Sequence, residues 1–256
     1  MKTIKYLALG IASLPLFTGC ETMSQIASTL PQTNPGSTTS TTNSNAGTIT
    51  QTEASAGIKQ ALNNGLQNSI KSLSANNGFY GDALVKVMMP QEAQKIEQVL
   101  RSAGMGKLVD NFVLSLNRAA ESAVKEAAPV FVNSLSQMTV TDAFNILLGS
   151  QQDAATHFFK RTTSATLTQK FSPIVESALG KNKVSTYWTQ LTSAYNALPL
   201  SNTKVQTDLN AYVTQKAIDG LFVKIAGEEL KIRQNISGSR NSSVLQSVFG
   251  WADKQK

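Results

Sequence analysis

From Ile58 to Phe249, apolar side chains return every third or fourth residue in one segment after another. That spacing lays a single apolar stripe along a helix and is incompatible with the two-residue alternation of a half-buried strand. Ile58, Leu62, Leu66, Ile70 and Leu73 form the first stripe, which Asn76-Asn77-Gly78 should stop. Ile96 and Leu100 mark a second helix after Pro90, ended by Gly104. A longer one follows through Phe112, Leu116, Ala119, Ala120, Ala123 and Ala127, with its stop expected near Pro129. Its alanines leave room for a neighbouring helix to approach closely. Thr139-x-x-Asp142 opens a short helix. Ser150 is a candidate cap for the next, which Pro173 is expected to break or kink. Tyr187, Trp188, Leu191 and Tyr195 lie on a helix ending near Pro199. A last long helix runs from Asp208 to Gln234, and Ser243 to Phe249 is a short terminal one.

These stripes predict an all-α fold, a single multi-helix bundle domain over residues 53–256. Residues 83–89, short, partly β-branched and followed by Pro90, are read as an extended segment or half of a small hairpin. About 200 residues can bury a sizeable core without disulfides. No repeat at a fixed period argues for a solenoid.

The N-terminal part differs in kind. Lys2 and Lys5 precede the 12-residue apolar run Tyr6–Phe17, too short to span a bilayer and suited to a signal peptide. Leu16-Phe17-Thr18-Gly19-Cys20 resembles the bacterial lipobox. That resemblance implies cleavage before Cys20, a diacylglycerol on its sulfur and an acyl chain, typically palmitate, on the new amine. Cys20 is the only cysteine, so no intrachain disulfide can form. Two or more acyl chains give stable anchoring where one does not. Glu21, where Asp favours inner-membrane retention in the sorting pattern it resembles, inclines the expectation to the outer membrane, facing the periplasm. Residues 20–52 then read as a tether: 15 of the 32 residues from Glu21 to Thr52 are Ser or Thr, without an apolar period. Such a coil spans about 30 Å on average.

Removing Lys2 and Lys5 from 23 basic residues leaves 21 against 16 acidic ones, a mild excess without a Lys/Arg stripe. A nucleic-acid partner is therefore not expected. The expected partners are a membrane, through lipid on Cys20, and a ligand or protein of the cell envelope.

Several segments of the helical region resemble an uncharacterised bacterial family, domain of unknown function 4197. They include Gly57-Ile-Lys-Gln-Ala-Leu62, Leu116-Asn-Arg-Ala-Ala-Glu121, Phe159-Lys-Arg-Thr-Thr-Ser164, Tyr195-Asn-Ala-Leu-Pro199 and Tyr212-Val-Thr-Gln-Lys-Ala-Ile-Asp-Gly-Leu-Phe222. The resemblance implies a helical exported domain, often lipid-anchored. It brings no activity and no catalytic residues.

Candidate binding residues come from local constellations. Asn117, Arg118 and Glu121 share a helical face. They read either as a polar group holding a ligand in a cleft or as an ion pair that fixes helix register. His157, the only histidine, follows Asp153 by one turn; it reads as a surface or capped histidine or as part of a hydrolytic pair. Lys160 and Arg161 beside two threonines could grip a phosphate or carboxylate, or simply be a solvated face. Tyr187, Trp188, Tyr195 and Tyr212 could line a glycan-binding wall, or be core and boundary aromatics. Asp208, Lys216 and Asp219 are polar positions on the last long helix, and Glu229 and Arg233 read as a surface pair. No nucleophile elbow, Walker loop, HExxH or EF-hand loop is present, and no cofactor or metal is expected. Three readings follow: a non-enzymatic binding or scaffold module, an envelope hydrolase using Asn117, Arg118 and Glu121 or Asp153 and His157, and a carrier with an apolar pocket between helices.

Overall fold

A computed structural model describes residues 49–197 and 208–255. The signal region, Cys20, most of the tether and Pro199 lie outside the described residues. Among the described residues there are nine α-helices and no strand.

The first helix, α1 (Gln51–Ser74), begins two residues ahead of the expected domain boundary. Thr50 and Glu53 close a capping box: the Thr50 Oγ1 accepts the Glu53 N–H at 3.2 Å, and the Glu53 carboxylate accepts the Thr50 N–H at 2.9 Å. Two orphan donors of the first turn are thereby satisfied. Thr139 and Asp142 repeat the device at α5 (Val140–Leu148).

Four long helices make the centre. They are α1, α3 (Gly106–Val124), α6 (Ala154–Lys181) and α8 (Leu209–Arg233), and each packs on at least two of the others. The expectation of close approach at the alanines of α3 holds: Ala119, Ala120 and Ala123 are fully buried. Around this centre α2 (Gln94–Ser102) and α7 (Val184–Asn196) lie on α3. The fourth helix, α4 (Ala127–Gln137), lies on α1 and α6, while α5 and α9 (Ser243–Asp253) lie on α1. Phe131 joins two layers, meeting Phe159 edge-on at 5.3 Å and Phe222 at 6.3 Å between ring centroids.

Four expectations need correction. Ser150 does not cap α6, which starts at Ala154 after Asp153. Pro129 does not end a helix; it sits in the first turn of α4, where its missing N–H would have had no partner in any case. The preceding helix stops at Val124. Pro173 does not end α6, which runs on to Lys181. The ring removes one main-chain bond, but Phe171 and Val175 on either side are fully buried, and tertiary packing holds the helix through the gap. Residues 83–89 form no hairpin. Residues 86–90 run as irregular chain, and what pairs with them is a side chain.

Candidate functional site

The chain between α1 and α2 cannot be helical at its start. Asn77 is left-handed, with φ 65°. At Gly78 a Cβ would lie 2.4 Å from the Ser72 carbonyl oxygen, so only glycine lets the chain turn back against the end of α1. Residues 75–90 then cross α3 and α8 as a strap.

Polar side chains of α3 hold this strap. Asn117, fully buried, presents its carboxamide to Val87: Oδ1 accepts the Val87 N–H at 2.8 Å and Nδ2 donates to the Val87 carbonyl at 2.8 Å. The amide thus replaces a neighbouring strand. Glu121 accepts the Phe79 N–H at 3.3 Å and pairs with Arg118 at 2.6 Å, and Arg118 donates to the Asn77 side chain at 2.8 Å. From α8, Lys224 pairs with Asp82, and the Tyr212 hydroxyl donates to the Met88 carbonyl at 3.1 Å. Gly220 completes the fit, since a Cβ there would stand 2.6 Å from the Phe79 ring and 3.3 Å from Val85.

Two charge environments follow. The Lys224 ammonium holds the Asp82 carboxyl below its ordinary value, against a smaller opposing effect of burial. Burial raises the Tyr212 phenol, with the Glu92 carboxylate adding to the effect.

The strap, the turn at 91–93 with the first residue of α2, and α8 up to Val223 line a groove of about 640 Å³, open to solvent. Met89 and Gly220 are buried against it, Tyr212 stands in its wall, and Lys86, Lys216, Glu92 and Asp219 contribute its charges. In its lining Leu84 is 78% exposed and Met88 50%, with Val223 exposed on α8. Leu84 is displayed on a fixed turn. Asp82 accepts the Leu84 N–H through its side chain at 3.0 Å and the Val85 and Lys86 N–H groups through its carbonyl at 3.1 and 2.9 Å.

Residues 48–250 match the family described as Protein of unknown function (DUF4197). The chain belongs to this family. No curated protein and no solved structure matches it. In this family member the resemblance read from Leu116–Glu121 and Tyr212–Phe222 therefore falls on the two helices that carry the strap.

The structure separates the other sequence-derived candidates. His157 and Asp153 meet at 3.2 Å, but both side chains are at least half exposed at the start of α6, away from Asn117 and Glu121. Lys160 lies 5.7 Å over the Phe222 ring and Arg161 5.6 Å over that of Phe158. The aromatics do not form one wall: Tyr195 is buried, Trp188 packs on Phe112 at 5.4 Å, and Tyr212 alone among them lines the groove.

Glu229 and Arg233 are the clearest correction. They are not a surface pair; both side chains are 5% exposed. Glu229 caps α6 from another helix, accepting the Ala155 and Thr156 N–H groups at 2.9 Å each. Arg233 donates to Glu229 and to the Ile146 carbonyl at the end of α5. Arg240, which sequence reasoning did not single out, caps α8 by donating to the Ile232 and Arg233 carbonyls and pairs with Asp253 at 2.6 Å. A signal for the first pair was present: Leu221, Ile225, Glu229 and Arg233 are spaced by four, so the pair continues the buried stripe. The groove carried no such signal, because its two walls are more than 100 residues apart in sequence.

Proposed function

We propose that the chain is a membrane-anchored envelope lipoprotein, tethered through lipid on Cys20, whose helical domain is a non-enzymatic binding or scaffold module. Its recognition surface is the groove between the strap and α8. The observation that carries this reading is Leu84 and Met88, exposed apolar side chains that the strap's hydrogen bonds hold in fixed positions in the lining of an open groove. Apolar anchors on a rigid support lose little entropy on docking, and methionine adapts to its partner's shape.

The hydrolase reading has less support. The Asn117 carboxamide is spent on the Val87 main chain and the Val113 carbonyl, Glu121 on the Phe79 N–H and Arg118, and the His157–Asp153 pair stands on an exposed helix start. The carrier reading asks for an apolar chamber between helices. The cavity between α1, α5, α8 and α9 holds only about 10 Å³, at most the room for one water, whereas the large groove is open and edged with charge. The anchor reading rests on the lipobox residues.

The test is photo-crosslinking in cells from position 84, 88 or 223, with exposed position 170 on α6 as control. An adduct specific to the three groove positions is expected; labelling no stronger than from the control would defeat the groove reading. Separately, Cys20→Ala should abolish lipid incorporation, and normal labelling of that variant would overturn the anchor.

A further inference from the structure

We infer that the groove takes an extended peptide of a partner protein, added as a strand that runs parallel to residues 85–89. The inference rests on the binding-module reading above and names the chemistry of the occupant.

The strap is half of a strand pair. Val85, Val87 and Met89 are buried, while Lys86 and Met88 between them are not, which is the alternation of a half-buried strand. In extended chain a residue's N–H and C=O point to one side, and those of the next residue to the other. Both groups of Val87 point to Asn117 on α3. Those of Lys86 and Met88 therefore face away from α3. The Tyr212 hydroxyl, in the wall of the groove, reaches the Met88 carbonyl from that side. The second edge of the strap thus lies along the groove.

Four main-chain groups stand on this edge, and two are already used. The Lys86 N–H donates to the Asp82 carbonyl at 2.9 Å, and the Met88 carbonyl accepts from Tyr212. Among the described residues the Lys86 carbonyl and the Met88 N–H have no partner. Those two groups are what one residue of a parallel strand satisfies: its N–H donates to Lys86 and its carbonyl accepts from Met88. An antiparallel strand would need the two that are taken. A peptide main chain carries a donor and an acceptor at this spacing in every residue, and strand addition to an open edge is an established mode of peptide recognition. Paired residues share a face of the sheet. The residue opposite Val87 therefore turns inward, toward the buried lining at Met89 and Gly220, and should be apolar.

The experiment uses the full lipidated protein in detergent micelles. The probe is a library of random linear peptides displayed on phage, with Met88→Pro as the counter-target. That variant lacks the N–H but keeps the carbonyl that Tyr212 holds, and circular dichroism checks its helix content. Peptides with an apolar residue should enrich on the native chain. In an enriched peptide, N-methylation of one interior amide should weaken binding about tenfold, the worth of one such bond, while both neighbouring amides tolerate it. Exchange of the Met88 amide should slow on binding by about the same factor. The last two readings hold even where Met88→Pro unfolds the strap. No enrichment on the native chain, tolerance of N-methylation at every position, or unchanged exchange at Met88 overturns the inference. A groove-specific crosslink in cells to a molecule that proteases cannot shorten would also overturn it, while leaving the groove as a recognition surface. Absence of both crosslink and peptide would remove the two readings together.

Discussion

Asn117 on α3 and Glu229 on α8 invite comparison, because each is a buried polar side chain spent on another segment's main chain. Glu229 closes the open start of α6, and its neighbour Arg233 closes the end of α5. That cluster splices helix ends, inside packing that would be helical anyway. Asn117 binds Val87, in a stretch with no secondary structure of its own. There the side chain supplies, to an irregular segment, the pairing that a strand would have supplied. On α8 buried polarity stabilises the bundle; on α3 it positions a surface.

The contrast predicts different failures at the two sites. Glu229→Ala leaves the buried Arg233 charge without a counter-ion and two helix-start N–H groups without acceptors, and should cost about 3–5 kcal/mol in urea unfolding. A loss below ~1 kcal/mol would show that water replaces the carboxylate. Asn117→Ala strips both main-chain groups of Val87 and should cost about 2–4 kcal/mol. Hydrogen exchange should then accelerate over residues 77–90 before it does in α6. Simultaneous acceleration in both would erase the distinction between strap and bundle.

Gly220→Ala pushes a methyl against Phe79 and Val85 and should cost about 1–3 kcal/mol by overpacking, again read first as faster exchange in the strap. Thr139→Ala removes a cap from α5, in the bundle, and should cost about 1 kcal/mol without changing exchange at Val87.

The smallest expected effect is that of pH. The folded state holds the Asp82 carboxyl below its unfolded value, so the Lys224 contact contributes stability that is present above the unfolded value and lost as pH falls through the folded one. Acidification below about pH 4 should therefore loosen the Leu84 turn. Asp82→Asn should remove that part of the response, and an unchanged acid profile in this variant would dissociate the turn from the ion pair.

Helix existence was legible wherever one stripe ran for several turns, as in α1 and α8, or where a cap announced the start, as at Thr139. It failed where a local sign has two meanings. Pro129 reads as a stop or as a first turn depending on whether a helix follows, and α4 was missed for that reason. Glu229 and Arg233 read as surface because charge usually goes to water; the cost of burying them is met by each other and by main-chain partners from α5 and α6. Asn117, Arg118 and Glu121 form one polar face, but what they hold is the chain's own strap, brought back to them across 30 to 42 residues.

The sequence by itself determined an all-α domain, its main helices, the capping boxes and its family, because periodicity and capping are properties of neighbouring residues. Only the tertiary structure decided which polar residues are buried, that residues 75–90 form a strap, and that a groove with a displayed Leu84 stands beside α8. Those depend on contacts between residues far apart in the chain, where burial and hydrogen-bond partners are set by packing and leave no period to read.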